Sequence, residues 1–284
     1  MNLLRKYLKN SFELKEKLFE AEFLCNQNND LIISLSYHRH LDENLWKKAA
    51  LNLKDNCLKE GLNVNFIGRA RKQKILADSD TILETIHTSS KDFFLYQVEG
   101  NFSQPNIYTC QNMIEFARSL CSQKQDVDLL ELYCGSGTFT ICLADLFRKT
   151  LATEVSRVPT ATALLNIKKN NISNTKIARL SAVEVAEALT GVREFNRLKR
   201  EDIDITSYNF DTLLIDPPRS GLEFQQARDF TAQFEHIIYV SCGPKSLVED
   251  LSYLYKTHEI KNLAFFDQFP YTEHLETIVE LIKR

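Results

Sequence analysis

The chain has 284 residues, 44% of them apolar and 26% charged, with a net charge of −3. That length fits one or two domains with a sizeable core. Its longest apolar runs, such as Leu213–Ile215 and Ile237–Val240, fall far short of the ~20 residues that cross a bilayer. No apolar signal core opens the chain, and seven cysteines include no C-x-x-C pair, so secretion, a disulfide framework, a zinc site and an iron–sulfur cluster are not expected, and the expectation is a cytoplasmic protein without a metal.

A leading helix is expected first. The alternation of Leu31–Tyr37 then reads as a strand, Asp42–Glu60 as a helix stopped by Gly61, and Asn63–Gly68 as a second strand. Residues 1–75 hold 14 Lys and Arg against nine Asp and Glu, and Arg69, Arg71, Lys72 and Lys74 cluster tightly. A second basic run is Arg193, Arg197, Lys199 and Arg200. Such runs serve as solvated faces or as phosphate contacts. Ala77–Ser90 loses its periodicity and reads as an irregular connector.

From about residue 128 the pattern changes. Short apolar strands at Asp128–Cys134, Thr150–Glu154, Lys176–Leu180, Phe210–Asp216, His236–Cys242, Lys261–Phe266 and Thr277–Ile282 alternate with helical stretches. This predicts a doubly wound, mostly parallel sheet of seven strands ending in an antiparallel hairpin. The chain ends with its seventh strand, so the catalytic sheet is expected to be whole.

Four motifs fall at predicted strand ends. Leu130–Phe139 (LELYCGSGTF) runs from a strand through Gly135-Ser136-Gly137 into a helix, a loop whose backbone lets a ligand approach closely. The third glycine of the dinucleotide fingerprint is missing, which argues against NAD. Glu154 follows at the end of the next strand, suited to the ribose hydroxyls of an adenosine. Loop and acid together favour S-adenosyl-L-methionine.

The fourth strand ends in Asp216-Pro217-Pro218-Arg219-Ser220-Gly221, and the fifth in Ser241-Cys242-Gly243-Pro244. The prolines fix the backbone where open α/β sheets place their ligands. A helix begins just after Cys242, and a helix N-terminus can lower a thiol pKa from about 8.5. The last loop, FDQFPYTEHLE, delivers Glu276, with Glu273 and His274 as alternatives. Carbon 5 of uracil is a poor nucleophile until a thiolate adds at carbon 6, and a base must then remove the carbon-5 proton. Cys242 fits the nucleophile and Glu276 the base. Asp216 falls between cofactor and base pocket, and Arg219 suits the uracil edge or a phosphate.

From Leu18 onward the segments FIGRARKQK, QVEGNFSQPN, LLELYCGSGTF, LATE, GVREFNRL, IDPPRSGL, YVSCGPKSL and FDQFPYTEHLE make the chain resemble the bacterial tRNA (uracil-5-)-methyltransferases, which form ribothymidine in the T loop. The resemblance implies a class I methyltransferase domain over residues 99–284, Rossmann-like, and a smaller α+β RNA-binding domain over residues 1–98. Members of this family carry a longer N-terminal domain, so the latter is expected to be partial.

The resemblance also implies Cys242 as nucleophile, Glu276 as proton acceptor, and Gln104, Tyr133, Glu154 and Asp216 at cofactor positions beside Gly135 and Gly137. Thr138 stands where the nearest relatives commonly have Asn. Phe19 matches an aromatic near the T loop, with a core phenylalanine as the other reading. The implied partners are the tRNA T-arm and transfer-messenger RNA. Two other functions fit parts of the sequence: a catalytically weak tRNA-binding or folding module, and an amino-methyltransferase, although those usually follow Asp-Pro-Pro with an aromatic where Arg219 stands.

Overall fold

Contacts divide the chain, described at residues 2–122 and 124–284 in this computed structural model, into two units. One runs to Thr85 and takes back Tyr96–Asn101; the other holds Ile86–Leu95 and Phe102–Arg284.

The first unit opens with helices α1 (Asn2–Lys9) and α2 (Phe12–Lys15). A four-stranded sheet follows in the order β1 (Leu18–Cys25), β2 (Leu31–Tyr37), β3 (Val64–Ala70), β4 (Gln73–Leu76), with α3 (Glu43–Lys59) crossing between the parallel pair β2 and β3. The leading helix thus breaks off early, and Leu18–Cys25 pairs with β2 as a strand. Asp42 caps α3 through the Leu45 N–H. The helix buries Trp46, Ala50, Leu53 and Cys57, one stripe at helical spacing. A Cβ at Gly68 would lie 2.8 Å from the Trp46 ring, so only glycine lets α3 settle on β3.

Half of the first basic run has a structural duty. Arg69 and Lys74 both reach the buried Glu99 carboxylate, which Ser34 also donates to. Burial would raise the Glu99 pKa, but these donors outweigh it and hold the group at about 2. Arg71 and Lys72 stay at the β3–β4 turn.

The expected connector Ala77–Ser90 contains a strand. β5 (Thr81–His87) forms a two-stranded sheet with β6 (Asp92–Val98). Its Ile82 packs with Ile32 and Ile67 in the first unit, whereas Ile86, Phe93 and Leu95 join the core of the second.

The second unit continues through α4 (Ile107–Leu120), β7 (Asp128–Leu132), α5 (Thr138–Leu143), β8 (Lys149–Thr153), α6 (Arg157–Lys169), β9 (Thr175–Ala178), α7 (Ala182–Leu189) and α8 (Asn196–Arg200). It ends with β10 (Phe210–Ile215), α9 (Gln225–Thr231), β11 (His236–Ser241), α10 (Pro244–Leu254), β12 (His258–Phe266) and β13 (Glu276–Lys283). The sheet order is β12-β13-β11-β10-β7-β8-β9. Its five strands from β9 to β11 are parallel, and β13 is antiparallel to both neighbours. These are the seven strands and the closing hairpin expected.

Both faces of the sheet are covered, which explains the near-continuous apolar strands. Leu130, Leu132, Leu213, Ile215 and Tyr239 fill one side, and Leu129, Leu214, Ile238, Val240 and Ile278 the other. The chain winds outward from β7 to β9, then returns to lay β10 on the opposite side of β7. The carboxyl ends of β7 and β10 therefore flank the switch point where such sheets open a crevice. None of the described helices is long and apolar enough to cross a membrane.

Candidate active site

A cleft opens at that switch point, lined by residues including Phe102, Gln104, Glu131, Tyr133, Gly135, Thr138, Asp216, Cys242 and Glu276. In-register pairing explains the convergence. Leu132, Ile215 and Tyr239 lie side by side on β7, β10 and β11, so Tyr133 and Asp216 emerge together past the sheet edge. Ser241 pairs with Thr277, and one step further out Cys242 stands beside Glu276. Because β13 runs antiparallel to β11, its first residue reaches the same edge as the last residues of β11, β10 and β7.

In the loop after β7, Tyr133 has φ +62, Gly135 φ +54 and Gly137 φ +83. A left-handed non-glycine residue costs roughly 1–2 kcal/mol, so Tyr133 is held there by the loop. Gly137 is glycine for space as well, since a Cβ would meet Ala163 at 3.2 Å; at Gly135 nothing lies within 4 Å, and the backbone faces open cleft. Glu154 accepts from the Gly135 N–H at 3.2 Å and the Ser156 N–H at 2.7 Å. It shapes the loop from outside the cleft lining, as does Gly137. Asn166 donates to the Ser136 carbonyl at 3.0 Å.

The cleft is acidic. Glu131 is 1% exposed, and its carboxylate accepts from the Thr140 hydroxyl at 2.6 Å. Burial pushes its pKa up to about 8, with the Asp216 charge adding to the rise. Burial, then the Glu276 charge, pushes Asp216 to about 8 as well. Glu276, also buried, is raised to about 7 by desolvation against the pull of Arg219. No lysine or arginine lines the cleft among the described residues. Such a wall suits a cation, whose charge would draw these carboxyls toward ionisation, and disfavours a pyrophosphate.

The Cys242 thiol is half-buried, and its pKa is raised by burial and by the Glu276 and Asp216 charges, while the charge and hydrogen bond of Arg219 oppose the rise. The direction is opposite to the lowering that a following helix N-terminus led one to expect, with burial as the first cause. Arg219 lies on the exposed loop past β10, outside the cleft lining, and is the cation that draws this thiol toward ionisation.

Two polar residues of the site escaped the sequence reading. Glu131 is an acid inside an apolar strand, a signal visible in LLEL. Gln268, 1% exposed, donates to the Gln104 carbonyl oxygen at 2.7 Å and so fixes the orientation of that amide. Its own carbonyl oxygen has no partner among the described residues.

In the first unit, Phe19 is 54% exposed rather than in the core. Its ring stacks on His38 at 3.9 Å, 14° from parallel, and a surface pocket beside it is lined by Tyr37, His38, Arg39, His40 and Arg71. No cluster of three or more His, Cys, Asp or Glu among the described residues could hold a metal.

A curated tRNA/tmRNA (uracil-C(5))-methyltransferase of Photobacterium profundum is 44% identical over 284 residues, all of this chain and 76% of its own length. Proteins of the same description from Pasteurella multocida and Vibrio vulnificus are 44% and 43% identical with the same coverage. Among solved structures, the Pyrococcus abyssi tRNA (uracil-54, C5)-methyltransferase in complex with S-adenosyl-L-homocysteine superposes with a TM-score of 0.70 at 17% identity, over 99% of this chain and 66% of that one. The tRNA m1G37 methyltransferase of M. jannaschii gives 0.52 at 14% identity, over 96% and 78%. These two show the fold. A profile described as tRNA (Uracil-5-)-methyltransferase matches residues 1–284, and the chain belongs to that family.

Proposed function

We propose that this protein methylates carbon 5 of a uridine in tRNA, with S-adenosyl-L-methionine as methyl donor and Cys242 as covalent nucleophile. The observation that carries the reading is the register of β11 and β13, which sets Cys242 beside Glu276 in a cleft that Asp216 also lines. The acidic wall fits the cofactor's positive charge, and the open backbone at Gly135 fits close approach of a nucleoside. Gln104, Tyr133, Gly135, Thr138 and Asp216 would hold the cofactor. Glu154 would reach the ribose with the acceptor capacity left after its two backbone contacts, and Gly137 would shape the loop.

S-adenosyl-L-methionine, when bound, supplies an electrophilic methyl group for carbon 5. The Cys242 thiolate adds to carbon 6, and the ring's double-bond electrons move onto the carbonyl, making carbon 5 nucleophilic. Arg219, beside the thiol, favours its ionised form and would meet the uracil edge or a phosphate. Once carbon 5 has taken the methyl group and the donor has left as the neutral thioether, Glu276 would take the carbon-5 proton, the double bond would reform and Cys242 would leave. A base with a pKa of about 7 is well matched to this work near neutral pH.

We further infer that the target is the T-loop uridine and that transfer-messenger RNA is a second substrate. The exposed Phe19–His38 stack beside Arg39 and Arg71 supports a loop partner, because aromatic plates hold unstacked bases while cations meet phosphates. Extruding the target base costs a few kcal/mol, less in a loop than in a duplex.

Incubation with S-adenosyl-L-methionine and unmodified tRNA transcript, followed by nucleoside mass spectrometry, should yield 5-methyluridine. Fragment mapping should put it in the T loop. A transcript carrying 5-fluorouridine there should trap a covalent adduct, since fluorine at carbon 5 cannot leave as a proton. No product at high enzyme concentration, or no adduct, would sink the reading.

A further inference from the structure

Past β10, the loop of residues 217–222 carries Arg219 and is seated on one face of α10. Asp250, in the middle of that helix, is fully buried. One carboxylate oxygen accepts from the Leu222 N–H at 2.8 Å and from the Tyr239 hydroxyl at 2.6 Å, and the other from Arg228 Nε at 2.7 Å. A single carboxylate therefore ties together the loop, β11 and α9. One turn earlier on the same face, the Ser246 hydroxyl meets the Arg219 carbonyl oxygen at 2.8 Å and the Gly243 carbonyl at 2.9 Å.

The fit leaves no slack. Gly221 has φ +70, and a Cβ there would lie 2.5 Å from the Asp250 carboxylate; a Cβ at Gly243 would lie 2.7 Å from the Arg219 carbonyl. The Gly221 N–H closes the turn onto Pro218 at 2.8 Å. With its backbone held on both sides, and its carbonyl oxygen 2.7 Å from where a Cβ on Gly243 would sit, Arg219 has a fixed root packed against the residue that follows Cys242.

We propose that Asp250 is a positioning residue for this chemistry: with Ser246 it clamps the Arg219 loop onto α10, and so holds the guanidinium where it keeps the Cys242 thiol reactive. The charged groups facing that thiol are Arg219 from the loop, Asp216 from the end of β10 and Glu276 from β13. Asp250 touches none of the reacting atoms. It acts because two of these groups are acids that oppose ionisation, so the thiol gains from the Arg219 cation, whose place the clamp sets. The proposal rests on the functional reading above for its purpose, but not for its test.

The test is the pH profile of Cys242 alkylation by iodoacetamide in the full chain, read by peptide mass spectrometry without RNA or cofactor. Cys25, exposed in the first unit, is the internal control. Asp250→Asn and Ser246→Ala should each move the Cys242 midpoint to higher pH and leave the Cys25 rate unchanged. Arg219→Ala should give the same shift, and Arg219→Ala/Ser246→Ala no more than Arg219→Ala alone, since both act through one group. Covalent capture of 5-fluorouridine tRNA should slow by about tenfold to a hundredfold in Asp250→Asn, and Asp250→Glu should recover part of that loss.

A wild-type alkylation profile in Ser246→Ala, or additive shifts in the double variant, overturns the proposal even if Asp250→Asn does not fold. Since alkylation needs neither substrate, it separates failure here from failure of the functional reading, which the methylation assay decides.

Discussion

Replacing Gly221 by alanine tests the clamp through stability. Two costs add at this position. A left-handed alanine is unfavourable by roughly 1–2 kcal/mol, partly offset by about 0.4–1 kcal/mol from a stiffer unfolded chain. The new methyl would also sit 2.5 Å from the Asp250 carboxylate, so the bonds from Leu222 and Tyr239 cannot both keep their length. Losing one hydrogen bond to a charged group costs about 1.5–3 kcal/mol. The sum is about 2–4 kcal/mol.

Gly191 supplies the control. Its φ is +71 but nothing lies within 4 Å of its Cβ position, so Gly191→Ala should bear only the backbone cost, about 1 kcal/mol. At about 2–4 °C per kcal/mol for a chain of this size, thermal melting should fall by about 4–15 °C in Gly221→Ala and by only a few degrees in Gly191→Ala. Equal shifts in the two variants would refute the packing argument, because backbone strain alone would then account for both.

Turnover should climb with pH from about 6 and keep climbing beyond 8, since Glu276, with a pKa of about 7, and the elevated Cys242 thiol must both lose protons to act; a pH–rate profile that falls between 6 and 8 would contradict this. Glu276→Gln should still let Cys242 add but leave the carbon-5 proton in place, so an RNA–protein adduct should persist on ordinary uridine in denaturing gels. The cofactor-free protein should lose stability as pH rises from about 5 to 8, because native Glu131 and Asp216, with pKa values of about 8, keep protons that the unfolded chain has released. Glu131→Gln should flatten that slope in denaturant titrations, and an unchanged slope would show that Glu131 is ionised throughout. Glu99 has the opposite sign: with its native pKa at about 2, its contribution is full above the unfolded carboxylate range and disappears as pH falls toward 2, so Glu99→Gln should destabilise at pH 7 and matter little near pH 2.

Much of the second unit could be read from its letters because its signals are local. The apolar strands are continuous, and Gly135-Ser136-Gly137, Asp216-Pro217-Pro218 and Ser241-Cys242-Gly243 each mark a strand end by a residue type that only a turn or a ligand edge demands. β5 was hidden for a physical reason. Its buried positions are Ile82, Glu84 and Ile86, and an acid in the middle of the inward row breaks the alternation. Glu84 is tolerated there because the Gln27 side chain and the Thr85 N–H satisfy it, a partnership across 57 residues that periodicity does not contain. Likewise Leu18–Cys25 is a strand because β2 offers it an edge to pair with.

By itself, then, the sequence determined which residue types end which strands, and hence which chemistry the cleft was built for, since strand, turn and helix preferences are settled within a few residues. Only the tertiary structure decided the charge state of that chemistry. Whether Cys242 is pulled toward thiolate depends on how deeply it is buried and on which carboxylates and which guanidinium surround it. Those neighbours come from residues 216, 219 and 276, brought together by strand register, and desolvation and charge act through space rather than along the chain.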